Sequence, residues 1–221
     1  MTYPYMISSR PWGVYSRTRD FSAEKFALGE PLAMAAKSGA VYDRERSCLI
    51  MESFGQNISV SFPEGDIFFL DTDHSPHFPL CICALNYLVR ADGTPLSGKY
   101  ISYRELENGH VFYKAFRRES INMLSACLPG KNPQLFTEAA RQLGGFVGEG
   151  ADLACTLYPL PRFPVTVKLW FPDDEMEGSA NILFDSSANH YLHTEDIAAI
   201  GDLAAHYLVK QYQLLASSKR S

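Results

Sequence analysis

The stretch Pro164–Phe171 reads Pro-Val-Thr-Val-Lys-Leu-Trp-Phe, dense in the β-branched and aromatic residues that suit a pleated strand. The acidic turn Pro172–Gly178 follows, and Ser179–Phe184 returns as a second strand. A connection this short joins only antiparallel neighbours, because parallel strands need a long crossover. A second hairpin is predicted upstream. There Asn57–Phe62 alternates Ile58, Val60 and Phe62 with Asn57, Ser59 and Ser61, Pro63-Glu64-Gly65 turns, and Asp66–Leu70 resumes. Ser47–Glu52, Lys99–Arg104 and Asp152–Leu157 also read as strands.

Helical patterns lie between these strands rather than in strict alternation with them. Phe21–Lys37 has Phe26, Leu28, Leu32, Met34 and Ala35 as its apolar face, with a break expected at Gly29 and Pro31 and an end at Gly39. Pro79 starts a helix over Leu80–Arg90 that is apolar almost all round and therefore buried. Val111–Leu128 reads as one long helix. Asn132 caps the next, which Gly144 ends. Thr194 caps the last, with Glu195 and Asp196 at its positive end and Ile197, Ile200, Ala204, Tyr207 and Leu208 on its buried face. The predicted fold class is α+β, with antiparallel hairpins packed against several helices in a single domain. Residues 1–20, with Pro4, Pro11 and Trp12, read as an N-terminal arm, 21–216 as the domain and 217–221 as a polar tail.

Composition narrows the function classes. With 46% apolar residues and a net charge of −5, the chain is not disordered, and its acidic surplus argues against nucleic acid. No apolar run reaches the ~18 residues that span a bilayer, so no membrane partner is expected. The first residues lack a signal-peptide pattern, which makes the cytoplasm the expected location. The five cysteines, at 48, 81, 83, 127 and 155, are scattered without C-x-x-C, so reduced packing residues are expected and an iron–sulfur cluster is not.

Several groups could carry chemistry. Asp71, Asp73, His74 and His77 set imidazoles and carboxylates close together, as a zinc or iron site requires, although a solvated turn needs the same residues. His190 and His193 precede a helix start, a common edge of a binding cleft. Neutral imidazoles there could ligate the iron of a haem or the cobalt of a corrinoid. Surface histidines are the plainer alternative. His206, four residues after Asp202, reads as an exposed ion pair. Gly144, Gly145, Gly148 and Gly150 follow a helix instead of preceding one, so they suit a flexible connection and not a phosphate cradle. Asp173, Asp174, Glu175 and Glu177 read as a solvated turn, and no G-x-S-x-G marks a serine nucleophile. The 28 aromatics, 13% of the chain, could line a pocket for a flat ligand, but most of them fall at core positions.

The C-terminal run Leu-Tyr-Pro-Leu-Pro-Arg-Phe-Pro-Val-Thr-Val-Lys-Leu-Trp-Phe-Pro-Asp-Asp-Glu from Leu157, with Leu183-Phe184-Asp185 and Tyr191-Leu192, resembles the domain-of-unknown-function family 3786 of anaerobic bacteria and archaea. Pro161, Pro164, Trp170, Asp174, Glu175 and Glu195 also match its pattern. So do Leu85–Leu88 and Gly98-Lys-Tyr-Ile-Ser-Tyr-Arg-Glu-Leu. The resemblance covers residues 20–212. It implies a link to corrinoid or other tetrapyrrole metabolism. On that basis His190, His193, Trp170 and Tyr191 are the candidate ligand-binding residues, and a tetrapyrrole is the expected small-molecule partner. A metal-dependent enzyme using His74, His77, Asp71 and Asp73, or a protein partner of an anaerobic enzyme complex, are the alternatives. The chain departs from the family pattern at Met176-Glu177-Gly178 and at His193. It also lacks the cysteine-rich iron–sulfur segment carried by some members.

Overall fold

Two antiparallel sheets share one continuous hydrophobic core in this computed structural model, which describes residues 3–8 and 16–219. The first sheet is a meander of β1 (Val41–Asp43), β2 (Cys48–Ser53), β3 (Gln56–Ser61) and β4 (Ile67–Phe69). The second has the order β5-β9-β8-β7-β6, from β5 (Tyr100–Ser102), β6 (Phe146–Gly148), β7 (Leu153–Leu160), β8 (Phe163–Trp170) and β9 (Ser179–Asp185). Both predicted hairpins are present. Ile58 lies opposite Met51 and Phe69, and Trp170 lies opposite Ser179. The α+β class is the one the sequence predicts.

The helices are α1 (Ser16–Ala27), α2 (Pro31–Ser38), α3 (Phe78–Arg90), α4 (Gly109–Phe116), α5 (Asn122–Cys127), α6 (Pro133–Gln142) and α7 (Thr194–Ser218). α3 is apolar almost all round because it lies between α1 and α7, with Leu80, Ala84, Leu85 and Leu88 fully enclosed. α7 crosses α3, α6 and the second sheet. Each fully enclosed side chain such as Ile197 or Leu208 contributes about 1.5–3 kcal/mol. The Asn132 side chain accepts from the Gln134 amide at 2.9 Å and so caps α6 as expected.

Five expectations change. α1 already includes Ser16–Asp20, ahead of the predicted start at Phe21, where the residues carry no apolar signal and only Ser22, Ala23 and Phe26 of the helix are buried. Leu28, 89% exposed, and Leu32 leave the predicted apolar face, since Leu28 falls in the turn between α1 and α2 and Leu32 in the first turn of α2. The long helix over 111–128 is interrupted by a π-helical turn at Arg117–Ile121, which divides it into α4 and α5. Thr194 is the first residue of α7 and His193 its N-cap, without a side-chain capping bond. The glycine-rich connection is structured: Phe146–Gly148 adds an edge strand opposite Ala154–Thr156. Gly144 there has φ +70°, and a Cβ on it would stand 2.8 Å from Gly55 Cα, so two backbones meet where the sheets join.

Within the predicted arm, Pro4–Met6 forms a 3₁₀ turn with Met6 buried, and Ile7 bridges to Pro76. Pro11 and Trp12 lie outside the described residues. α7 extends through Ser217 and Ser218 of the predicted tail. No described helix is long and apolar enough to cross a membrane.

Candidate functional site

Three chain segments converge where α3 ends, β9 ends and α7 begins. α3 closes with the Ala91 amide donating to the Tyr87 carbonyl at 2.9 Å, and the loop 91–99 turns through Gly93 at φ +88°. Asp92 Oδ1 accepts from the Thr94 amide at 2.8 Å, which sets the local turn. On the other side, β9 runs into the 3₁₀ turn Ala188–His190 and then into α7. His190 Nδ1 meets Asp92 Oδ2 at 2.8 Å and Thr94 Oγ1 at 3.2 Å.

A carboxylate only accepts, so His190 Nδ1 carries the proton and, in the neutral ring, Nε2 keeps its lone pair. The His190 hydrogen bond, with those from Thr94, holds the Asp92 carboxyl well below the usual carboxylate range. His193 is arranged differently. Its Nε2 lies 3.3 Å from Arg90 Nη1, and a guanidinium only donates, so that nitrogen is the acceptor and is already engaged. Arg90 is fixed in turn, with Nε and Nη2 donating to the Asn189 carbonyl at 3.0 and 2.9 Å. Asn189 also accepts from the Glu107 amide at 3.0 Å, which brings the loop before α4 to the same place.

These groups border two adjoining open clefts. One, of about 360 Å3, is lined by Arg90, Asp92, Glu107, Asn189 and His190. The other, of about 430 Å3, shares Arg90, Glu107 and Asn189 and adds Phe112, His193 and Glu195 among its walls. Asp196 stands behind them on α7. Burial pushes its carboxyl up, against the pull of the Asn86 amide, which donates to both its oxygens at 3.1 Å.

The structure brings His190 and His193 to one region and separates the other predicted residues. Tyr191 is fully buried, stacked on Tyr87 at 5.7 Å, with its hydroxyl donating to the Thr94 carbonyl. It therefore supports the loop from beneath and does not wall a cleft. Trp170 is at the opposite end of β8 from the Val165–Phe184 pair, roughly 17 Å along the strands. Asp71 pairs with Arg46 at 2.8 Å, and Asp73 contacts His74 Nδ1 at 3.4 Å. His77 packs edge-on to Tyr207 at 6.3 Å, and its partial burial lowers the ring's basicity. Among the described residues no three His, Cys, Asp or Glu side chains are grouped to hold a metal ion. His206 pairs with Asp202 at 3.2 Å, as its spacing predicts. Sequence reasoning missed Arg90, Asp92, Thr94, Glu107 and Phe112. No local signal marks Asp92, since 98 residues separate it from His190.

The fold and site define an α+β protein with a carboxylate-oriented histidine on an open polar cleft. The chain belongs to the family described as Domain of unknown function (DUF3786), which matches residues 30–207 and so takes in both sheets and the cleft. No curated protein and no solved structure matches it.

Proposed function

We propose that the protein binds a metal-bearing ligand of the tetrapyrrole class, a corrinoid foremost, whose metal His190 would hold. The observation that carries this reading is the 2.8 Å contact of His190 Nδ1 with Asp92, made at the wall of the cleft. Metal-ligating histidines almost always give their second nitrogen to a carboxylate or carbonyl, which fixes the ring and strengthens the donor. His193 is the weaker candidate, because Arg90 occupies its Nε2. The remaining walls suit the same ligand. Arg90 can face carboxylate or amide side arms, and Phe112, which is exposed, can lie against a ring face. When bound, the group would supply the metal chemistry, and the chain's own part is to bind and orient it.

The reading places the protein in the cytoplasm of an anaerobe, beside an enzyme that uses the same ligand. A metal-dependent enzyme built on Asp71, Asp73, His74 and His77 has less support, because Asp71 is paired with Arg46 and His77 packs on Tyr207.

Titration of the purified protein with hydroxocobalamin and with haemin, followed by visible absorbance, tests the proposal. A saturable spectral shift at one equivalent is expected with at least one of them. It should be lost in His190→Ala and kept in His193→Ala. Asp92→Asn should weaken binding about 10–100-fold. No shift with either compound would sink the reading.

A further inference from the structure

Asp185 ends β9, is 2% exposed, and has no ion-pair partner among the described residues. A buried carboxylate needs its charge met by donors, and here hydrogen bonds alone meet it. Oδ1 accepts from the Ser97 amide at 3.0 Å and the Ser97 hydroxyl at 2.9 Å. It also accepts from the Ser187 amide at 2.9 Å and the Ser187 hydroxyl at 2.7 Å. Oδ2 accepts from the Gly98 amide at 2.8 Å.

These donors come from two segments. Ser97 and Gly98 end the loop that carries Asp92 and Thr94, whereas Ser187 begins the turn that carries His190. The same junction is doubled by the Ser186 amide donating to the Lys99 carbonyl and the Ser186 hydroxyl to Ser97 Oγ, both at 2.8 Å. The loop is therefore fixed at one end by α3, beneath its middle by Tyr191, and at its other end by Asp185. Gly98, at φ +70°, allows its amide to turn toward the carboxylate.

We infer that Asp185 is a positioning residue that joins the Asp92 loop to the His190 turn and thereby sets which nitrogen of His190 carries the proton. It touches neither His190 nor the clefts, and it acts through the backbone of both segments. The inference deepens the proposed ligand reading, for which an exposed, unprotonated Nε2 is the working feature, but the tautomer can be read without any ligand.

The experiment is nitrogen NMR of the His190 ring in ligand-free protein, at a pH where the imidazole is neutral. The wild type should show the Nδ1–H form. Asp185→Asn should move His190 toward the Nε2–H form favoured by free histidine, in the same direction as expected for Asp92→Ala, while circular dichroism reports an intact fold. A purely structural Asp185 would lower Tm and leave the tautomer unchanged, and that result would overturn the inference. Should Asp185→Asn fail to fold, Ser97→Ala keeps the carboxylate and removes one loop donor. A partial move toward Nε2–H is then expected, and an unmoved tautomer again refutes the inference. A wild type with the expected tautomer that binds neither hydroxocobalamin nor haemin would remove the ligand reading and leave this one standing.

Discussion

His190 is committed at one nitrogen, with Nδ1 held by Asp92 and Thr94, while its half-exposed ring makes no bond through Nε2 to any described residue. Asp185 shows how much charge the arrangement buries. Burial alone would push its carboxyl up, yet the bonds from Ser187 and Ser97 outweigh burial and hold it below the usual carboxylate range. A carboxyl depressed on folding stabilises the protein above its unfolded pKa of about 3.9, and that contribution is lost as pH falls through the lower folded value. Asp185→Asn should therefore cost about 2–3 kcal/mol at neutral pH. The cost should shrink toward the most acidic pH at which the protein stays folded. Urea unfolding of both proteins at several pH values checks this, and a pH-independent difference would contradict it. At this scale the sequence reveals residue types but not partners. The two histidines before α7 are visible in the sequence, whereas nothing local singles out Asp92, because its meeting with His190 depends on where two distant segments come to rest.

Elements were more legible than sites. Apolar spacing and turn residues located β2, β3, β4, β8, β9, α3, α6 and α7, since each rests on local periodicity and a cap or breaker. β1 and β6 were not foreseen. Both are short edge strands with exposed patterns, and pairing to a neighbour defines them more than their own composition does. The π turn in the α4–α5 segment likewise has no sequence signal. Gly201 in α7 shows packing overriding propensity. Alanine favours a helix over glycine by about 1 kcal/mol. Here, however, a Cβ would stand 2.8 Å from Phe116 Cε2 and 2.9 Å from Phe184 Cζ, two enclosed rings. Gly201→Ala should thus destabilise by about 1–3 kcal/mol. A thermal or denaturant melt showing stabilisation would mean the rings can yield at no cost.

Across the whole molecule, Tyr87 links parts that the sequence gives no reason to join. Its hydroxyl donates to the Ser38 carbonyl at the end of α2 and accepts from the Arg162 amide in the β7–β8 turn at 2.9 Å. Tyr87→Phe leaves the buried Ser38 carbonyl and the partly buried Arg162 amide without that partner and should cost about 1–3 kcal/mol. Equilibrium denaturation should show a lower midpoint with an unchanged slope; a changed slope would mean that the two sheets uncouple. The sequence by itself determined the α+β class, the two hairpins, the buried central helix and the family, because each is written in local periodicity, turn chemistry or a contiguous motif. Tertiary structure alone decided that Trp170 and Tyr191 stand apart from the cleft, that Arg90 occupies His193, and that Asp92 and Asp185 serve His190. Hydrogen bonds depend on atoms meeting within about 3 Å, and no spacing along a chain encodes a meeting between residues that only packing brings together.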